Sequence, residues 1–274
     1  MRNKMKNIAK VWRSSTAFLL SAFSFLILIT SCSNELDETL QSAGNGNLQF
    51  VVSDFPTFGE STQTRAIGTQ DEGKTAWENE DKILVHLYSQ KYGDQAVTLT
   101  FDAENNTWES DGGTLSYLEN ETPTITAVYA PDCVIKSDKT IGLIDGKQYG
   151  EAEYIPAKTS ISGNTLDISF ESGRTYSRLR IATMPGATLT VTTSGFTPAG
   201  PNGSTAPESY TLTTNANGNA FLYGTFAVGG SVTVLDESCV TALVEYEFTE
   251  ATEPGKSYAL YAGEKEEGDA SPVR

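Results

Sequence analysis
From Leu48 onward the chain reads as short runs of alternating apolar and polar residues, with no amphipathic stretch long enough for a helix of more than two turns. A period of two puts successive side chains on opposite faces of a strand, so runs of this kind fold as sheets with one face buried. Leu48–Val52, Ile83–Tyr88, Val97–Phe101 and Ile125–Tyr129 form the first series. Leu166–Phe170, Leu179–Ala182, Leu189–Val191, Tyr210–Leu212, Val232–Val234 and Val240–Phe248 form the second. Asp111-Gly112, Asp145-Gly146 and Asn217-Gly218 are short-turn signals between runs. The fold expected is all-β, two tandem antiparallel β-sandwiches. The polar stretch Ala157–Asn164 suggests a boundary near residue 160, giving an N-terminal sandwich over 47–160 and a C-terminal one over 161–263, with an acidic tail at 264–274.

The amino terminus reads as an address. Residues 1–16 are basic and free of acids, and Ala17–Ile29 is an apolar run of 13 residues. A membrane-spanning helix needs about 20, so this length suits a signal-peptide core over 1–31. The run ends at Ile29-Thr30-Ser31-Cys32 and is followed by Ser33-Asn34-Glu35-Leu36-Asp37-Glu38. The first group resembles a bacterial lipobox, in which the cysteine becomes the first residue and carries the lipid. The second resembles a surface-export signal of Bacteroides lipoproteins. The expectation is a chain tethered through Cys32 and a polar linker, 32–46, to the outer membrane and facing outward. Acyl chains would hold it, each buried methylene contributing roughly 0.8 kcal/mol.

Charge and composition narrow the function classes. The first 31 residues hold five basic groups and no acid, leaving 14 basic against 35 acidic residues in the other 243. A net −21 there argues against nucleic acid, because phosphate binding needs a basic surplus. A single histidine, His86, leaves no second imidazole for zinc or acid–base chemistry. It falls inside the run Ile83–Tyr88, where a sheet-face side chain is the default, and no G-x-S-x-G occurs. Gly68-Thr69-Gln70-Asp71-Glu72-Gly73-Lys74-Thr75 fits the phosphate-loop pattern, but polar residues precede it and a strand, not a helix, follows. It reads as a surface loop. Asp102–Asn106 lacks the glycine and closing glutamate of a calcium loop and reads as a turn between Phe101 and Trp108. Cys133 and Cys239 lie 106 positions apart and are expected to be unpaired, buried thiols. Neither a cofactor nor a metal is expected, and an enzyme is not.

Six segments in order resemble the fimbrillin-like lipoproteins of the Bacteroides group, the subunit family of the type V pilus. They are Cys32 with its acidic followers, the first strand Leu48–Ser53 with Thr64-Arg65-Ala66 beyond it, Trp77-Glu78-Asn79-Glu80-Asp81-Lys82-Ile83, Ala127-Val128-Tyr129-Ala130-Pro131, the pair Leu166–Phe170 and Ser177–Ile181, and Pro254-Gly255-Lys256-Ser257-Tyr258. The family pattern has glycine where this chain has Glu80. The resemblance implies two transthyretin-like sandwiches, assembly by donor-strand complementation, and other fimbrial subunits as partners.

The stretch Thr57–Lys74 is rich in Ser, Thr, Gln and Gly and reads as a loop, and Arg65 within it is either a plain exposed arginine or a site for an Arg-specific protease that leaves Ala66 as the new amino terminus. Such a cut would release residues 32–65 with the first strand, and the groove left behind is a template for a neighbour's strand. The tail 264–274 is acidic and without an apolar alternation, so as a donor it would bury unpaired carboxylates. The chain is therefore expected to accept a strand more readily than to donate one. A second reading is a non-polymerising surface lipoprotein that binds a host or glycan ligand. Trp108, Tyr117 and Tyr223 are the aromatic residues that could stack on sugars, although core packing is the commoner fate of such rings.

Overall fold
The computed structural model describes residues 40–43, 49–60, 74–113, 115–118, 121–163, 165–170, 174–238 and 242–263. Cys32, Arg65, Ala66, Cys239 and the tail 264–274 lie outside the described residues. Every regular element among the described residues is a strand.

The first thirteen are β1 (Leu40–Ala43), β2 (Gln49–Val52), β3 (Gly59–Glu60), β4 (Lys82–Ser89), β5 (Gly93–Asp102), β6 (Thr107–Ser110), β7 (Leu115–Leu118), β8 (Thr124–Tyr129), β9 (Cys133–Ile135), β10 (Ile141–Leu143), β11 (Ile155–Pro156), β12 (Lys158–Ser162) and β13 (Thr165–Ser169). An antiparallel sheet in the order β11-β8-β4-β5-β6 shares its core with a small sheet, β12-β13-β2. Ile83, Val85, Val97, Leu99, Leu115 and Ile155 are fully buried there together with Leu166 from β13. The stretch 157–164 thus contains a strand, β12, paired with β13 from Lys158↔Ser169 to Ser162↔Thr165. Leu166, Ile168 and Phe170 carry the first core past residue 160.

The remaining strands are β14 (Ser177–Ala182), β15 (Thr188–Pro198), β16 (Tyr210–Thr213), β17 (Asn219–Leu235), β18 (Ala242–Glu247) and β19 (Lys256–Tyr261). They form a sheet in the order β16-β15-β17-β14-β19-β3, with β18 also on β17. A second core is built from Ile181, Leu189, Val191, Tyr210, Leu222, Phe226, Val232 and Val234. Most pairings are antiparallel, as the period-two pattern suggested. Three are parallel: β13 with β2, β14 with β19, and β19 with β3.

The long strand β17 serves two neighbourhoods. Its first half lies on β14 through Ser177↔Gly224 to Ala182↔Asn219, and its second half lies on β18. Between them the register against β15 shifts at Ser194/Phe196. A bulge of this kind bends a strand and strengthens its twist. Gly195 makes the bend possible. It has φ +62°, and a Cβ there would stand 2.9 Å from the Cα of Gly230 on the facing strand. Gly195→Ala should therefore cost about 1–3 kcal/mol, seen as a lowered denaturant midpoint. Gly93→Asn, also at positive φ (+69°) but with nothing within 4 Å of a Cβ, should stay within about 1 kcal/mol of the parent.

Candidate functional site
The segment 49–60, upstream of Arg65, is the part of the chain that the expected cut would remove, and it is built into both sheets. Its alternation puts Phe50 and Val52 on the first core and leaves Val51 half exposed. β2 runs parallel to β13, with Leu166↔Phe50 and Ile168↔Val52, and is an edge strand. Ser53 then pins the chain three times. Its N–H donates to the Ile168 carbonyl (3.0 Å), its hydroxyl accepts from the Phe170 N–H (2.7 Å), and its carbonyl accepts from the Trp77 indole (2.8 Å).

Pro56 disfavours helical backbone at the residue before it, which suits the extended path here. Phe55 enters the first core, 6 % exposed, with ring edges of Trp77 at 4.9 Å and Tyr129 at 5.4 Å. Trp77 continues the cluster to Trp108 (4.9 Å) and Phe170 (5.4 Å). The Lys74 ammonium lies 5.3 Å from the Phe55 ring centre, ion-paired with Asp81 and donating to the Tyr129 hydroxyl at 3.2 Å. Asp81 also caps the turn before β4 by accepting from the Glu78 N–H (2.6 Å).

Phe58 fills a different seat. The Arg174 guanidinium lies 3.8 Å from its ring centre and that of Arg178 4.8 Å, while Tyr223 stacks at 6.4 Å and Tyr176 stands at 6.2 Å. Arg174, its side chain 2 % exposed, pairs with Glu153 and donates to the Tyr176 hydroxyl (3.1 Å). Arg178 donates from Nε to the Ser257 hydroxyl (3.0 Å) and lies over Phe221. β3 closes the segment on the second sheet through Lys256↔Gly59 and Ser257↔Glu60.

Burial sets the acid–base character of this region. Burial first, and then the Asp81 and Glu153 carboxylates, hold the Tyr129 phenol well above its usual range. Burial does the same for Tyr176 and pushes Tyr154 up to about 12 and the free thiol of Cys133 up to about 11.

The other sequence candidates are placed as follows. Lys74, the lysine of the phosphate-loop pattern, is committed to Asp81, and the residues after it run into β4. His86 stands on β4 beside Asp94 (2.9 Å). Asp102–Asn106 is the turn joining β5 and β6, with Asp102 accepting from the Glu104 and Asn105 N–H groups. No cluster of His, Cys, Asp and Glu among the described residues is arranged to hold a metal. Trp108, Tyr117 and Tyr223, offered as sugar-stacking loop residues, lie in strands β6, β7 and β17 and pack against the first core. Sequence reasoning missed the two seats, whose only linear trace is the pair of phenylalanines in Phe55-Pro56-Thr57-Phe58.

Comparison with known proteins gives few matches. No family model and no curated protein matches the chain. Among solved structures, one from Bacteroides fragilis provisionally described as a cell adhesion protein aligns at TM-score 0.34 and 13 % identity, covering 79 % of this chain and 92 % of that one. Two B repeats of a Staphylococcus aureus collagen-binding protein align at TM-score 0.20 and 10 % identity, covering 81 % and 49 %. The all-β assignment rests on the strands themselves.

Two outcomes follow from the buried charges and phenols. Arg174→Met should cost about 3 kcal/mol, because it leaves Glu153 without its partner, and Glu153→Gln added to it should recover part of the loss. At high pH the buried phenols resist ionisation in the folded chain and not in the unfolded one. Their stabilisation is complete below pH ~10 and is lost as pH rises from there, through about 12 for Tyr154. An alkaline titration should show tyrosinate absorbance appearing together with the loss of folded structure.

Proposed function
We propose that this chain is a non-catalytic surface lipoprotein, anchored to the outer membrane through Cys32, that acts as a structural or adhesive subunit of a fimbrium. In this reading an Arg-specific protease cuts between Arg65 and Ala66, residues 32–65 leave with the lipid, and a strand from a neighbouring subunit takes the vacated place. The observation that carries it is the position of segment 49–60. It is an edge strand of one sheet, a two-residue edge of another, and the source of Phe55, all upstream of Arg65. Losing such a segment uncovers apolar side chains and unpaired backbone groups on β13, which is what an added strand needs. Brief trypsin treatment of protein 33–274 should give a dominant 66–274 product by intact mass, and size exclusion should show that product as oligomers. An uncut monomer, or a cut chain that unfolds, counts against assembly. Cys32→Ala should abolish labelling by a fatty-acid probe in cells.

A further inference from the structure
The backbone pairings of segment 49–60 are short and blind to sequence. β2 has one neighbour, and β3 is held at two positions. Selectivity for an occupant therefore lies in its side-chain seats, as in other added-strand complexes. The two seats differ in how closely cations approach the ring. Phe55 sits among ring edges, with the Lys74 ammonium at 5.3 Å and the Arg174 guanidinium at 5.5 Å from its centre, whereas Phe58 lies against two guanidinium groups at 3.8 and 4.8 Å. A guanidinium face is attracted to the quadrupole of an aromatic ring and gains nothing comparable from an aliphatic side chain.

Residues outside the segment hold the seats in place. Arg174 is fixed by Glu153 and the Tyr176 hydroxyl, Arg178 by the Ser257 hydroxyl, and Lys74 by Asp81. The slots are thus pre-organised, which lowers the cost of filling them again. The Nε of Arg174 is buried without a hydrogen-bond partner.

We propose that the Arg174–Arg178 slot, filled here by Phe58, is a recognition site for an aromatic side chain on an extended segment of a partner protein. Together with the Phe55 seat it selects segments that carry two aromatic residues three positions apart and run parallel to β13 and β19. The proposal deepens the strand-exchange reading above and rests on it for the source of the incoming segment.

The test uses a labelled peptide, Leu48–Glu60, on two forms of the chain. One is the wild-type chain nicked after Arg65, followed as exchange of the bound fragment. The other is the intact Phe55→Ala/Phe58→Ala chain, whose own segment has lost both pegs and which thermal unfolding verifies as folded. The peptide should bind saturably, peptide variants Phe58→Tyr and Phe58→Trp should bind similarly, and Phe58→Leu should bind about tenfold more weakly or worse. In a chain that also carries Arg178→Met, the preference for Phe over Leu should shrink, a result that lost packing alone would not produce. Equal binding of the Phe58→Leu peptide overturns the aromatic selection, and no binding to either form overturns the docking site. If Arg65 resists cleavage, the maturation reading fails while the intact double variant still decides the slot.

Discussion
A segment that pairs with two sheets at once ties them together, and segment 49–60 occupies that position here. Its upstream half is pinned through Ser53 to Ile168 on β13, to Phe170 just beyond it and to the Trp77 indole, and its downstream half crosses to β19, with Phe55 and Phe58 between. Other links join the same two regions. The Tyr223 N–H donates to the Gly150 carbonyl at 2.6 Å, and the Tyr210 hydroxyl donates to the Tyr149 carbonyl at 2.9 Å. Segment 49–60 differs from these because it is an edge element that lies shortly upstream of Arg65 in the chain. Removing it opens an edge without cutting through the middle of a sheet.

The seats use charge in an unusual place for so acidic a chain. With 19 basic residues against 35 acidic ones, most cations have acidic neighbours to choose from at the surface. Lys74, Arg174 and Arg178 instead lie over aromatic faces. Lys74 and Arg174 each keep a carboxylate partner, Asp81 and Glu153, so the cost of burying the charge is offset. Such a cation can hold a ring without bonding to the backbone that carries it. That would suit the proposed exchange of the segment that fills the site.

Much of the strand content was legible in the sequence. The runs at 83–88, 97–101, 125–129, 166–170 and 210–212 coincide with β4, β5, β8, β13 and β16, because a half-buried strand writes its period into the chain. β17 shows where this fails. The alternation marks only Val232–Val234 as a strand, yet the element begins at Asn219. Gly224, Gly229 and Gly230 interrupt the alternation where the strand passes from one set of neighbours to another, and local pattern cannot tell such a bend from a turn. β12 looks like a polar link for a related reason, since its exposed face carries Lys158, Ser160 and Ser162.

The sequence by itself determined that the described chain is all-β and that a period-two run covers the stretch containing β2. These follow from local periodicity and composition, which need no knowledge of distant residues. Only the tertiary structure decided that β2 pairs in parallel with β13, more than a hundred positions away, and that Phe58 meets Arg174 and Arg178. Parallel pairing and side-chain seats are long-range contacts. They depend on which surfaces remain to be covered once the sheets have formed, and nothing within a few residues of Phe58 records that choice.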